Sequence, residues 1–269
     1  MRYITSKDIK LRKRKPLSHK GDFGKVLVIG GSEDYVGAPA LAGLASLRAG
    51  ADMAVIAAPE KAAWAINCLS PDLITRKFEG RHFSSKHADA VIRLARSADA
   101  VVIGPGLGSK SGQFTGKVLK KLSSPVVVDA DAIKSISLKD ADNAVLTPHA
   151  KELEALLSNS GIKEKSLQKS LGNNVVLAKG KIDRIISWKR IAYNKTGSPG
   201  MTVGGTGDVL AGLTAGFLAQ DYSLFDSACW AAYINGRLGK QLEKKKGYSF
   251  IASDLVEDMQ KVVDRLRKT

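Results

Sequence analysis

The chain has 269 residues, of which 44% are apolar and 25% charged, so it can bury a sizeable core. Its 42 Lys and Arg against 26 Asp and Glu give a net charge of +16, which favours anionic ligands without choosing among them. Two cysteines, Cys68 and Cys229, lie far apart and form no disulfide framework. No run of 18 apolar residues is present, so we expect no membrane-spanning helix and a cytoplasmic protein.

Short β-branched runs alternate with helix-like stretches over most of the chain. The predicted strands are 25–29, 53–57, 100–103, 125–128, 144–146 and 174–177. The predicted helices between them are 39–49, 86–96, 112–122 and 151–157. Continuous apolar strands that alternate with helices are typical of an α/β fold with a doubly wound, mainly parallel central sheet and helices on both faces.

The pattern changes after residue 182. Residues 185–188 and 190–193 are predicted to form two short strands, and 208–219 a helix. Residues 223–242 and 253–267 are predicted closing helices, and the second is amphipathic. No linker or internal repeat stands out, so we expect one domain over 1–269, with a basic segment at about 1–20.

The most informative motif is Gly204-Gly205-Thr206-Gly207-Asp208, directly before an apolar helix. Glycines let several backbone amides point at one spot, and a helix N-terminus adds partial positive charge. The motif therefore predicts an anion-holding loop, with Asp208 as the base of a phosphoryl-transfer site. The alternative is that Asp208 only caps the helix.

Two further glycine clusters follow predicted strands. Gly104-Pro105-Gly106-Leu107-Gly108 comes after 100–103, and Gly30-Gly31 begins a segment that reaches Gly37-Ala38-Pro39. Ligands of open α/β sheets bind at the carboxyl ends of strands, although each cluster also fits an ordinary strand-to-helix turn. Ser109 stands where the dinucleotide fingerprint needs its third glycine, and no stretch has the P-loop spacing.

Acids, a histidine and lysines follow other strands. Asp129 and Asp131 either bind Mg²⁺ or a ligand hydroxyl, or cap a helix. His149 and Glu152 are spaced to share one helical turn, although a lone histidine is more often a surface or capping residue. Lys179-Gly180-Lys181 either reaches a nucleotide phosphate or forms a solvated basic turn.

Together these turns resemble the ribokinase-like superfamily, and within it the ADP- or ATP-dependent NAD(P)H-hydrate dehydratases. The resemblance runs from about residue 20 to 219. Its histidine, His149, discriminates within the superfamily, because sugar and vitamin kinases tend to carry Asn there. The motifs that carry the resemblance are Lys20-Gly21-Asp22-Phe23-Gly24, Gly30-Gly31 to Gly37-Ala38-Pro39, Gly104 to Gly108, Val128 to Ala132, Thr147 to Glu152 and Gly204 to Asp208.

The resemblance implies repair of hydrated NADH and NADPH (S form). ADP, or ATP, phosphorylates the ring hydroxyl and phosphate is then eliminated, which leaves AMP when ADP is the donor. It implies a hydrate site at Ala38, Gly106, His149 and Asp208, with Asp208 as base and Glu152 acting indirectly on Mg²⁺. It places adenine-nucleotide contacts at Lys179, Gly180, Lys181, Ile182, Asp183 and Gly207, and an anion hole at the amides of Gly205, Thr206 and Gly207.

Two departures from the family pattern and several alternatives remain. Asp183 stands where relatives usually have Thr, and an acid near phosphates is unfavourable unless it faces away. The chain has no room for the N-terminal epimerase domain of many relatives, so we expect any epimerase to be separate. A homo-oligomer, often a tetramer, is implied by the resemblance.

Three alternative functions remain. They are a sugar or vitamin-precursor kinase of the same superfamily, a basic nucleic-acid-binding protein, which we disfavour, and an NAD-dependent oxidoreductase, for which the dinucleotide fingerprint is missing.

Overall fold

The computed structural model describes residues 1–14 and 16–268. A nine-stranded sheet lies at its centre. Its strands pair in the order β3-β2-β1-β4-β5-β6-β7-β8-β9 once numbered along the chain. Strands β1 to β7 are parallel, and β8 and β9 extend one edge in antiparallel fashion. The strands are β1 Lys25–Ile29, β2 Met53–Pro59, β3 Ile74–Phe78, β4 Ala100–Ile103, β5 Val126–Val128, β6 Ala144–Leu146, β7 Val175–Ala178, β8 Asp183–Ser187 and β9 Ile191–Asn194.

Helices cover both faces of this sheet, as predicted. Side chains alternate along β1, so that Val26 and Val28 enter one core while Leu27 and Ile29 enter the other. The helices are α1 Gly37–Ala49, α2 Glu60–Leu69, α3 Ala88–Ala95, α4 Gly112–Leu119, α5 Asp131–Lys134, α6 Ala150–Ser160, α7 Thr206–Leu218, α8 Leu224–Lys246 and α9 Ala252–Lys268. Helices α1, α2, α7, α8 and α9 pack in the first core, and α3 to α6 in the second. None of the helices in the described residues is long and apolar enough to cross a membrane.

The predicted strands and helices are confirmed to within a few residues, but α2, β3 and α5 went unrecognised. Strand β3 lies at the edge of the sheet, where Arg76 and Lys77 stay exposed and only Thr75 is buried. An edge strand needs no continuous apolar run, so its sequence carries no strand signal. Helix α5 is a single turn, too short for a periodic pattern.

The strand order reverses between β1 and β4, which places a crevice at their carboxyl ends. Both glycine clusters lie there and pack against each other. The amide of Gly31 donates to the carbonyl of Pro105 at 2.8 Å, and a Cβ on Gly30 would lie 2.3 Å from that oxygen. The two loops therefore approach each other too closely for any side chain at Gly30.

Helices α1 and α7 cross with their backbones in near contact. A Cβ on Gly212 would lie 2.0 Å from the carbonyl oxygen of Ala42, and one on Gly216 would lie 2.7 Å from that of Ser46. Two glycines in α7 thus let it lie close to α1 and fix where its N-terminus points.

We expect Gly212→Ala to destabilise the protein by about 1–3 kcal/mol, because overpacking at this crossing outweighs the better helix propensity of alanine. Gly116→Ala is the matched control, since a Cβ at this position in α4 would meet nothing within 4 Å. That variant is expected to gain roughly 0.5–1 kcal/mol. Urea unfolding of both variants measures the difference, and equal effects would contradict the close crossing.

Candidate functional site

The loop before α7 presents a row of free backbone amides. Among residues 1–14 and 16–268, the amides of Gly205, Thr206, Gly207 and Asp208 donate to no other group. The Thr206 hydroxyl is turned away, since it donates to the Met201 carbonyl at 2.8 Å. Gly205 has a φ of +93°, and a Cβ there would lie 2.8 Å from side-chain atoms of Leu41 and Ala252. The geometry is that of an anion cradle built from backbone.

Lys179 lies beside this cradle and pairs with buried acids. Its Nζ lies 3.1 Å from Oδ1 of Asp129 and 3.8 Å from Oε2 of Glu152. The two carboxylates are only 2% and 4% exposed, and Nζ lies 3.4 Å from where a Cβ on Gly207 would stand. Burial lowers the pKa of Lys179, but Asp129 and Glu152 outweigh it and raise the pKa overall. Lys179 is therefore a fixed cation at the cradle, not a solvated turn residue.

Asp208, in the first turn of α7, is the acid whose protonation is most clearly perturbed here. Burial raises the pKa of its carboxyl from 3.8 to about 7, with a further contribution from Asp129 that Lys179 partly offsets. A carboxylate with this pKa holds or releases a proton near neutral pH. Within the described residues, the Asp208 carboxylate accepts no hydrogen bond from the backbone amides at the start of α7. Asp208 therefore does not cap this helix, which was the alternative interpretation of the motif.

His149 and Glu152 form the first turn of α6 together. The backbone amide of His149 donates to Oε2 of Glu152 at 2.9 Å, and the amide of Glu152 donates to Nδ1 of His149 at 3.3 Å. His149 thus caps the helix while about half of its side chain stays exposed at the cavity. No group of three or more His, Cys, Asp or Glu in the described residues is placed to hold a metal ion.

A cavity of about 690 Å³ opens next to the cradle. Of the residues predicted to bind a nucleotide, five line it: Lys179, Gly180, Lys181, Asp183 and Gly207. Ile182 does not, and instead borders a neighbouring cavity of about 280 Å³ that shares His149, Lys179 and Gly180 with the first. The structure therefore brings together all but one of this predicted set.

Asp183, the acid in the position where relatives usually have threonine, is held by hydrogen bonds within the protein. Its Oδ1 accepts from the amide of Gly180 at 3.0 Å, and its Oδ2 accepts from Nδ2 of Asn194 at 2.9 Å. Burial raises the pKa of Asp183, while these hydrogen bonds favour its charged form. One oxygen thus holds the turn between β7 and β8 and the other holds the last residue of the partner strand β9, so the carboxylate is tied to protein donors.

The remaining predicted residues, Ala38 and Gly106, lie side by side at the crevice between β1 and β4. A Cβ on Gly106 would lie 3.5 Å from the Cβ of Ala38, at the beginning of α1. One turn further along α1, Leu41 contacts Gly205 of the cradle. Helix α1 therefore connects the Ala38–Gly106 position to the anion cradle.

Two parts of the cavity wall were not predicted from the sequence. One is the segment 196–202, and the other is Asn235 in α8. Asn235 is buried, donates through Nδ2 to the Thr206 carbonyl at 3.4 Å, and leaves its Oδ1 without a partner in the described residues. The available signal was an amide side chain in the apolar run Ala231-Ala232-Tyr233-Ile234.

Comparisons with known proteins identify the family of the chain. A family model described as NAD(P)H-hydrate dehydratase matches residues 26–261. The chain is 43% identical over 273 residues to the bifunctional NAD(P)H-hydrate repair enzyme Nnr of Methanothermobacter thermautotrophicus, covering 95% of this chain and 53% of that protein. It thus spans about half the length of the bifunctional relatives it matches. It is 34% identical over 242 residues to the ADP-dependent (S)-NAD(P)H-hydrate dehydratase of Natrialba magadii, covering 90% of this chain and 93% of that protein.

Solved structures show the same architecture. The ADP/ATP-dependent NAD(P)H-hydrate dehydratase of Bacillus subtilis, co-crystallised with ATP and Mg²⁺, matches with a TM-score of 0.82 at 25% identity, covering 98% of each chain. A ribokinase-like superfamily protein of Enterococcus faecalis matches with a TM-score of 0.84 at 24% identity, covering 100% of this chain and 97% of that one, which confirms the ribokinase-like fold. By both sequence and structure, the chain belongs to the NAD(P)H-hydrate dehydratase family.

Proposed function

We propose that the chain is a hydro-lyase that dehydrates the S form of hydrated NADH and NADPH at the expense of ADP, giving AMP and phosphate. The observation that carries this proposal is Asp208, a carboxyl with a pKa of about 7 beside free cradle amides and the Lys179 cation. A base and an anion site in contact are what transfer of a phosphoryl group to a hydroxyl requires. The names of the Natrialba and Bacillus relatives supply the substrate and the nucleotide.

In the first step Asp208 takes the proton of the ring hydroxyl. The freed oxygen forms a bond to the terminal phosphorus of ADP, and the bridging P–O bond breaks with its electron pair going to AMP. Negative charge that develops on the transferred group is stabilised by the amides of Gly205, Thr206 and Gly207 and by Lys179.

The second step completes the dehydration. Phosphate leaves the ring carbon with the electron pair of the C–O bond, and the adjacent carbon gives up a proton, so that the ring double bond returns. Phosphorylation is useful because hydroxide is a poor leaving group and phosphate is a good one. We place the hydrate at Ala38, Gly106 and His149, since these residues lie on the α1 and α6 sides of Asp208 and the cradle.

The nucleotide occupies the cavity of about 690 Å³ in this proposal, where Lys179 to Lys181, Asp183 and Gly207 are in place to contact it. Ile182 belongs to the same turn but lines the smaller cavity instead. Both oxygens of Glu152 already lie near His149 and Lys179, which fits an indirect role toward Mg²⁺ rather than direct ligation. When bound with the nucleotide, Mg²⁺ would neutralise phosphate charge.

Partners follow from the same reasoning. The bifunctional relatives combine repair activities in one protein about twice the length of this chain, so we propose that an epimerase works with this dehydratase, joined or separate. We also propose that the protein forms a homo-oligomer, such as a tetramer, and acts in the cytoplasm.

The proposed reaction is tested on freshly made NADH hydrate with ADP and ATP in parallel. We expect release of inorganic phosphate together with return of the reduced-nicotinamide absorbance, and a loss of about 10²–10⁴-fold in kcat for Asp208→Asn. A stable phosphorylated product from a sugar or vitamin precursor, with no reaction on the hydrate, would instead identify a small-molecule kinase. Near-normal turnover by Asp208→Asn would remove Asp208 as the base.

Asp208→Asn is also expected to stabilise the protein above pH 7. The folded pKa of about 7 exceeds the unfolded value of 3.8, so ionising Asp208 opposes folding. Below pH 4 both states are protonated and the variant gains nothing. Between pH 4 and 7 the gain grows, and above pH 7 it levels off at up to about 4 kcal/mol, since each pKa unit is worth about 1.4 kcal/mol. Urea unfolding of the variant and of the wild type from pH 4 to 8 measures this difference, and a gain that does not grow with pH would contradict the raised pKa of Asp208.

Lys179→Ala is expected to raise KM for the nucleotide and to move the acidic limb of the kcat/KM profile above pH 7. Lys179 lowers the pKa of Asp208, so its removal leaves that carboxyl harder to ionise. Lys181 lines the same cavity but is exposed, so Lys181→Ala should leave the limb in place. A limb that stays unchanged in Lys179→Ala would show that this charge does not act on Asp208.

A further inference from the structure

A second cleft, of about 970 Å³, lies away from the anion cradle. Its walls are the N-terminal segment 6–13, one face of α8 around Arg237, and the last turns of α9. The segment is held in place rather than loose: Ile4, Ile9 and Leu11 are buried, and Nε1 of Trp230 donates to the Asp8 carbonyl at 3.0 Å. The cleft is thus built from three parts of the chain that are far apart in sequence.

Six of the residues that line this cleft are basic, and none of the described lining residues is acidic. Arg267 is anchored, since it donates to the Ala49 carbonyl at 3.0 Å and to Oε1 of Gln220 at 3.2 Å. The other five are exposed and form no ion pair within residues 1–14 and 16–268: Lys7, Lys10, Lys13, Arg237 and Arg265. Like charges gathered in one cleft repel each other unless an anion joins them.

Three other lysines of the same helix pair are arranged differently. Lys245 and Lys261 each lie 2.6 Å from a carboxylate oxygen of Asp258, and Lys246 pairs with Asp254. Helices α8 and α9 therefore balance their charge where they meet beyond the cleft, and leave it unbalanced at the cleft. A uniformly solvated basic surface would not show this contrast.

The floor and the donors of the cleft indicate the class of ligand. Ile9, Leu11 and Val262 form an apolar floor, while Arg237 and Arg265 offer planar forks that match phosphate oxygens. The volume is near the upper end for small-molecule sites, which are typically about 300–1,000 Å³. We propose that this cleft is a second anion site, which binds a small molecule with two or more linked phosphate groups.

Inorganic tripolyphosphate is the probe, with binding followed by calorimetry at low salt on the full chain. Arg237→Ala/Arg265→Ala is expected to weaken binding at the cleft at least about tenfold, because charge-assisted hydrogen bonds to phosphate are lost. Lys179→Ala is expected to weaken binding at the cradle and to leave the cleft site intact. This pair of variants separates the cleft from the proposed catalytic site, so either proposal can fail alone.

Lys245→Ala/Lys261→Ala is the matched control, because it removes two positive charges from the same helices that are already paired with Asp258. It should bind tripolyphosphate like the wild type. Equal weakening in this control, or unchanged binding in Arg237→Ala/Arg265→Ala, would overturn the proposal. Binding of a 16-mer RNA or DNA duplex that depends on Arg237 and Arg265, without tripolyphosphate binding, would overturn it in favour of a nucleic-acid surface.

Discussion

The ion pair between Lys179 and Asp129 is the interaction on which the candidate active site depends. It joins the carboxyl ends of β5 and β7, and Glu152 of α6 lies within 3.8 Å of the same ammonium. Asp129, Glu152 and Asp208 would otherwise share a poorly solvated space with no cation. Burial keeps the pKa of Asp208 raised, and the neighbouring acids add to this because one lysine cannot neutralise them all, which suits a base that must also release its proton.

Backbone geometry near the Lys179–Asp129 ion pair imposes a second constraint. A Cβ on Gly104 would lie 1.8 Å from the Asp129 carbonyl, so the turn after β4 must be glycine for Asp129 to stay where Lys179 meets it. Between the two acids, Ala130 takes a φ of +50°, a conformation that costs about 1–3 kcal/mol in a residue other than glycine. Asp129 is tied to the Thr147 hydroxyl at 2.6 Å and Asp131 to the Gly108 amide at 3.0 Å. These hydrogen bonds hold the strained turn in place.

Sequence reasoning reached the fold and most of the site because both follow from local signals. Buried parallel strands are continuous apolar runs, and their carboxyl ends meet at one edge, so the turns at 104–108, 129–131 and 147–152 converge there. The loop at 204–208 follows no strand directly, and its own signal is the group of glycines with an acid before an apolar helix. Contacts between residues far apart in sequence have no such local signal. Lys179 and Asp129 are 50 positions apart, and the sequence of neither turn indicates that the two side chains pair. Asn235 and the segment 196–202 enter the cavity wall only because α8 packs behind the cradle.

Helix α8 borders both the cavity beside the cradle and the basic cleft. Close contacts fix the helix, since a Cβ on Gly236 would lie 2.3 Å from Oγ1 of Thr196 and one on Gly239 would lie 2.3 Å from Sδ of Met201. Asn235 and Gly236 then face the nucleotide cavity while Arg237 faces the basic cleft. One helix thus borders both cavities. Six basic residues line the cleft without an acid among its described lining residues, whereas Lys179 of the candidate site is paired with buried acids.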